Sequence, residues 1–253
     1  RGRRRRKGIS AEAGFEHVDG LDGLGGLGDG IRGQAHLEHG HAQLTLAGAG
    51  ELLAEDLRMA MTEGQLEPYF QPIIDLETGK IHTFEALVRW FHPEKGELRP
   101  DEFIPVAEET GVIVTLGNWI TAQAAKACAQ WPEHVSVAVN LSPMQIRAPG
   151  AALGILNALR EANLDPQRLE LEVTESLFVD DNHATAAFIE ELSDRGVRFA
   201  LDDFGTGYSS LGYINSFPFS KIKVDRSFVS GPNVGRKTDA IIRAVAEMGS
   251  QLG

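Results

Sequence analysis

Several stretches of this chain alternate between apolar and polar positions with the two-residue period of a strand that buries one face. In "KIHTFEALVRW" (Lys80 to Trp90), Phe84, Ala86, Val88 and Trp90 share one face, and Glu85, Leu87 and Arg89 share the other. In "VSVAVNLS" (Val135 to Ser142), Val135, Val137, Val139 and Leu141 line up apart from Asn140. In "RLELEVT" (Arg168 to Thr174), Leu169, Leu171 and Val173 line up apart from Glu170 and Glu172. "SKIKVD" (Ser220 to Asp225) repeats this, with Ile222 and Val224 opposing Lys221, Lys223 and Asp225. "YFQPIIDL" (Tyr69 to Leu76) and "VRFALDD" (Val197 to Asp203) complete six predicted strands.

Helical stretches lie between most of them. "ELLAEDLRMAMTEG" reads as an amphipathic helix ahead of the first strand, with Leu52, Leu53, Leu57, Met59 and Ala60 available for burial. "PDEFIPVAEETG" and "LGNWITAQAAKACAQW" separate strands two and three, "ALGILNALREANL" strands three and four, and "HATAAFIEELSDRG" strands four and five; "TDAIIRAVAEMGSQLG" is the last element. Repeated strand and helix units predict a parallel sheet. Strands covered by helices on both sides are apolar throughout, so one polar face per strand places helices on one side only. A closed barrel meets that pattern, with its polar interior open at the strands' C-terminal ends.

Composition refines this picture. The 253 residues are 42% hydrophobic, enough for one sizeable core or a core with a tail. No apolar run approaches the roughly 18 residues of a membrane span, and no signal-peptide segment follows the basic start, so the expected location is cytoplasmic. The lone Cys128 allows no internal disulfide and reads as a buried helix cysteine. Six of the 24 basic residues lie in "RGRRRRK" (Arg1 to Lys7), which leaves 18 against 36 acidic residues after it. Such a body does not present a nucleic-acid surface, although divalent cations would let it hold an anionic ligand.

Residues 1–50 differ from the rest, holding 13 of the 28 glycines and 4 of the 8 histidines with no sustained period. They read as a low-complexity, disordered leader, and residues 51–253 as the folded domain. "GLGGLG" (Gly23 to Gly28) matches a dinucleotide-loop pattern but lacks the flanking strand and helix. "HLEHGH" lacks a fourth ligand at zinc spacing.

The polar faces carry the chemistry. Glu85, Asn140, Glu172 and Asp202 offer oxygen donors from four strands, the ligand type that Mg²⁺ or Mn²⁺ prefers. Asp203 adds a carboxylate that leans over the rim as its strand ends, so the two aspartates can serve different metals of a pair. Two metals can activate a shared water and stabilise both oxygens at phosphorus, which points to phosphodiester hydrolysis. Lys223 would stabilise equatorial charge or orient the water, and Arg89 would clamp a phosphate oxygen. A single strand carboxylate beside a lysine reads as a structural ion pair. Five strands contributing together shift the reading to a site. "DFG" (Asp203 to Gly205) also occurs in kinase metal loops, but no catalytic loop or lysine strand accompanies it.

"FEALVRW", "VNLS", "LELEVTES", "DDFGTGYSSL" and "IKVDRSFV", with "YFQPIIDLETGKI" and "EFIPVAEETGVI", resemble the EAL domain family of cyclic di-GMP phosphodiesterases in order and spacing from about Glu51 to Gly253. The resemblance implies a (β/α)8 TIM-type barrel of the EAL kind with one irregular antiparallel strand, about six of its eight strands being present here. It implies Mg²⁺- or Mn²⁺-dependent opening of cyclic di-GMP to linear pGpG, with Ca²⁺ inhibitory. Glu85, Asn140, Glu172 and Asp202 would be metal ligands, with Asp203 at the second metal. Glu85, Asp203 and Lys223 would carry the catalysis, Lys223 beside the hydrolytic water and Asp225 in its network. Gln71, Leu87 and Arg89 would contact the ligand, and Glu175 would anchor the "DFGTGYSS" loop.

The family continues past the point matching Gly253 into a seventh strand with a further active-site glutamate and an eighth with a glutamine-glycine-tyrosine motif. The chain is therefore expected to lack its last strands, or to be completed by another chain, for instance in a homodimer. An upstream sensory domain, if one exists, is not among these residues. Three functions follow as alternatives: an active phosphodiesterase, a silent cyclic di-GMP receptor, and a non-functional fragment.

Overall fold

A computed structural model describes residues 35–178, 183–205, 214, 216–228 and 235–252. The basic run Arg1 to Lys7, the "GLGGLG" segment and loop residues 206–213 lie outside the described residues, as do the side chains of His36, His39 and His41. Two units divide the chain, Arg1–Gln43 and Leu44–Gly253, and all strands belong to the second. The first helix, α1, runs Ala35–Glu63, beginning inside the segment that the sequence reads as a leader. It tolerates Gly48 and Gly50, although each glycine costs roughly 1 kcal/mol in a helix interior.

After α1 come β1 (Leu66–Ile74), β2 (Ile81–His92), β3 (Gly96–Leu98), α2 (Pro100–Glu109), α3 (Ile113–Cys128), β4 (Ser136–Asn140), α4 (Pro143–Arg147), α5 (Ala151–Ala162), β5 (Leu169–Thr174), α6 (His183–Asp194), β6 (Arg198–Phe204), β7 (Phe219–Val224) and α7 (Arg236–Leu252). The sheet order is β1-β2-β4-β5-β6-β7, with β3 off this path as a hairpin on β2. The six strands on the path are the six that alternation predicts. Three-residue β3 is too short to show a period. β1 pairs antiparallel with β2, and every later pair along the path is parallel.

The apolar faces do what their period requires. Ala86, Val137, Val139, Leu169, Leu171, Val173 and Phe199 are buried in one core cluster with Ile120, Cys128, Ile155, Leu159, Ile189 and Leu192 from α3, α5 and α6. Burial of each leucine or isoleucine contributes about 1.5–3 kcal/mol. A one-residue slip in β5 would turn Leu169 and Leu171 inward and put Glu170 and Glu172 among the helices, so register is strongly fixed. Trp90, Phe103, Leu57 and Leu116 centre a second cluster joining α1, β2, α2 and α3. Cys128 is buried and free, and burial pushes its thiol pKa up. Among the described residues, no helix is long and apolar enough to cross a membrane.

Candidate active site

The face opposite the core gathers the polar residues. Antiparallel register sets Gln71 of β1 against Glu85 of β2, and Tyr69 against Leu87. Parallel register carries the face on, through Asn140 opposite Glu172 and Thr174 opposite Asp202. Beyond Leu201 the β6–β7 ladder shifts register, and Asp203 takes a left-handed backbone with φ of 53°. Its backbone N–H donates to Asp202 Oδ1 at 2.9 Å.

Lys223 stands where the carboxylates converge. Its Nζ donates to Glu172 Oε2 at 2.5 Å, Asp202 Oδ2 at 3.0 Å and Glu85 Oε2 at 3.3 Å. Asn140 Nδ2 donates to Glu85 Oε1 at 2.8 Å. The structure thus brings five sequence-predicted residues from five strands into direct contact. One layer deeper, Lys221 Nζ meets the buried Glu170 at 2.5 Å, a pair that the sequence places on this face without a role.

Burial decides the electrostatics. Glu172 is 1% exposed, and this desolvation pushes its pKa up to about 7 against the pull of Lys223. Burial alone would lower Lys223, but the hydrogen bond and charge of Glu172, with Glu85 and Asp202, outweigh it and raise the ammonium above an ordinary lysine. Asp203 is also raised, by burial and by the charges of Asp202 and Asp225. Asp225 is held low because Ser227 donates to it from both its hydroxyl and its backbone N–H.

The remaining predicted residues flank this centre. Glu175 is buried, and its Oε2 accepts from the Gly205 backbone N–H at 3.3 Å, at the start of the loop it is expected to anchor. Arg89 donates to the Val88 carbonyl at 2.9 Å, and its guanidinium lies 5.5 Å over the Tyr69 ring. Leu87, Asn140 and Glu172 help line a cavity of about 560 Å³ whose wall also includes Glu108 of α2, Leu116 of α3 and Gln145 of α4. Tyr69 and Thr174 are site-face residues that alternation alone does not single out, and for Tyr69 the reason is specific. Its phase with Gln71 is in the sequence, but assigning that phase to this face needs the antiparallel pairing.

The donor set fits a divalent cation. Glu172 Oε1 is buried with no hydrogen-bond partner, an acceptor that a cation would satisfy, and the carboxylates around Lys223 outnumber its single charge. Among the described residues, no three Asp, Glu, His or Cys side chains are grouped closely enough to hold a metal as they stand. The ammonium of Lys223 lies within 3.3 Å of Glu85, Glu172 and Asp202.

Fold and site define a one-side-covered α/β barrel domain with a carboxylate-lined face. The chain belongs to the EAL domain family, whose model matches residues 54–253. It is 39% identical over 204 residues to the bifunctional diguanylate cyclase/cyclic di-GMP phosphodiesterase MucR of Pseudomonas aeruginosa, covering 79% of this chain and 30% of that protein. The structure of the PaMucR phosphodiesterase in its c-di-GMP complex matches with a TM-score of 0.75 and 38% identity, over 79% of this chain and 83% of that one. The FimX EAL domain from Pseudomonas aeruginosa bound to c-di-GMP matches with a TM-score of 0.71 and 25% identity, over 79% and 82%. The fold is accordingly the TIM-like barrel of the EAL kind. The chain spans about a quarter of the length of the first curated relatives it matches.

Proposed function

We propose that residues 51–253 form a cyclic di-GMP phosphodiesterase domain, preceded by a leader over residues 1–50, that opens the ligand to linear pGpG. The observation that carries this reading is the meeting of Glu85, Asn140, Glu172, Asp202 and Lys223 at one point from five strands. The names of MucR and of its ligand complex support the choice of substrate.

Glu85, Asn140, Glu172, Asp202 and Asp203 would hold two Mg²⁺ or Mn²⁺ ions. Bound divalent cations supply Lewis acidity to the phosphate and lower the pKa of water. Arg89 binds a non-bridging phosphate oxygen and Gln71 and Leu87 border the ligand, which fixes the phosphodiester over the carboxylates. Lys223 orients the attacking water and offsets charge developing at phosphorus. Asp225 belongs to the Lys223 network, and Glu175 holds the backbone at Gly205, just after Asp202 and Asp203.

Chromatography of c-di-GMP incubated with the protein and Mg²⁺ or Mn²⁺ tests this. Release of pGpG, stopped by EDTA and restored by excess metal, is the expected result. Bound but uncleaved c-di-GMP would favour a second reading, a silent receptor, whose physical motive is the ammonium seated among the carboxylates. The domain is expected to act in the cytoplasm, as a homodimer and under an upstream sensory domain. Light scattering of the purified protein checks the dimer.

A further inference from the structure

Tyr69 is a large aromatic residue left 47% exposed on β1. Its neighbour Phe70 points the other way, meeting Trp131 edge-on at 5.0 Å between ring centres. Tyr69 therefore faces away from the helix layer. Directly opposite residues of an antiparallel pair project to the same face, so Tyr69 shares its face with Leu87, its cross-strand partner, and with Gln71, Glu85 and Arg89. That is the face carrying the carboxylate centre.

The ring is also held. The Arg89 guanidinium lies 5.5 Å over its centroid, and Phe91 flanks it at 6.2 Å. Arg89 is in turn tied to the Val88 carbonyl and approaches Glu97 at 3.9 Å. A cation over one face of an aromatic ring restricts that ring before any ligand arrives. Tyr69 lies two residues along the strand from the level of Gln71 and Glu85, roughly 7 Å at the usual strand rise. A nucleotide whose phosphate sits at the carboxylates reaches about that far to its base.

We propose that Tyr69 is a substrate-binding residue, its ring forming the stacking platform for a purine base of the nucleotide whose phosphodiester lies over Glu85, Glu172 and Asp202. The proposal rests on the phosphodiesterase reading above and adds the residue that grips the base. Stacking on an aromatic ring needs its π-face, so phenylalanine can replace tyrosine and leucine cannot.

The test is steady-state kinetics of c-di-GMP hydrolysis with Mn²⁺ for the wild-type protein and for Tyr69→Phe, Tyr69→Leu and Tyr69→Ala, with Kd by calorimetry alongside. Leucine and alanine are expected to raise KM and Kd about tenfold, while phenylalanine keeps the wild-type values. Because stacking acts on the bound ground state and transition state alike, kcat should stay within about twofold. Wild-type KM and Kd in Tyr69→Leu, or a loss confined to kcat, would overturn the stacking role while leaving the phosphodiesterase reading intact. A wild-type protein that neither binds nor cleaves c-di-GMP would overturn both.

Discussion

Lys223 on β7 and Glu172 on β5 are 51 positions apart in sequence, yet the ammonium nitrogen lies 2.5 Å from Glu172 Oε2. Glu172 gives up nearly all its hydration to reach this position, and Lys223 is its charge partner there. The stability of the strand layer should turn on that pair.

Removing the cation should therefore destabilise the fold. Lys223→Met leaves a buried carboxylate without its partner, an expected loss of about 3–5 kcal/mol, read from urea unfolding midpoints. Adding Glu172→Gln should recover part of that loss, because the neutral amide has no charge left to desolvate. An unchanged midpoint in Lys223→Met would contradict the pairing.

The same burial predicts a pH signature. The Glu172 carboxyl titrates near 4.5 when unfolded and at about 7 when folded, so the native state holds an extra proton between those values. Its contribution to stability is complete below about 4.5 and is lost as pH rises through about 7. Melting temperatures in EDTA should show this component falling across that window. Glu172→Gln should remove it, and identical profiles for the two proteins would count against a raised Glu172.

Arg168 ties the end of α3 to the strand layer. Its guanidinium donates to the carbonyls of Cys128 at 2.7 Å, Val135 at 2.9 Å, Pro132 at 3.1 Å and Trp131 at 3.3 Å. A lysine point charge cannot serve this fan of acceptors. Arg168→Lys should cost about 1.5–3 kcal/mol in thermal or urea unfolding, with metal binding unaffected.

Gly117 packs against the cavity wall. A Cβ there would lie 2.0 Å from Gln145 Oε1, and Gln145 Nε2 donates to Asn118 Oδ1 at 3.3 Å. Gly117→Ala should displace the Gln145 amide and break its bond to Asn118, a cost of about 0.5–1.5 kcal/mol that alanine's better helix propensity partly offsets. The double variant Gly117→Ala with Gln145→Ala should show no such added cost over Gln145→Ala alone, since the obstructing amide is gone. Thermal unfolding of these proteins checks this.

Much of this site is legible in the sequence because it is written in strand alternation. The period of two puts Glu85, Glu172 and Lys223 on the face opposite Ala86, Leu171 and Val224, and parallel pairing then brings those faces together. The seating of Lys223 among three carboxylates was not legible, since it depends on side-chain reach across strands. Nor was the close approach of Gln145 to Gly117, a matter of tertiary packing that no local pattern records. α1 also begins ahead of its expected start at Glu51, running from Ala35 through glycines whose low helix propensity hides it from a reading of local pattern.

On the proposed reading, Asp202 and Asp203 at the end of β6 would hold the divalent cations of a phosphodiesterase centre. The most direct test is the c-di-GMP turnover rate of the wild-type protein, Asp202→Asn and Asp203→Asn, measured side by side at saturating Mg²⁺. The wild type should release pGpG and each variant should lose about 100-fold or more, because each amide removes a negative charge from the reacting centre. Full turnover in either variant would contradict that reading.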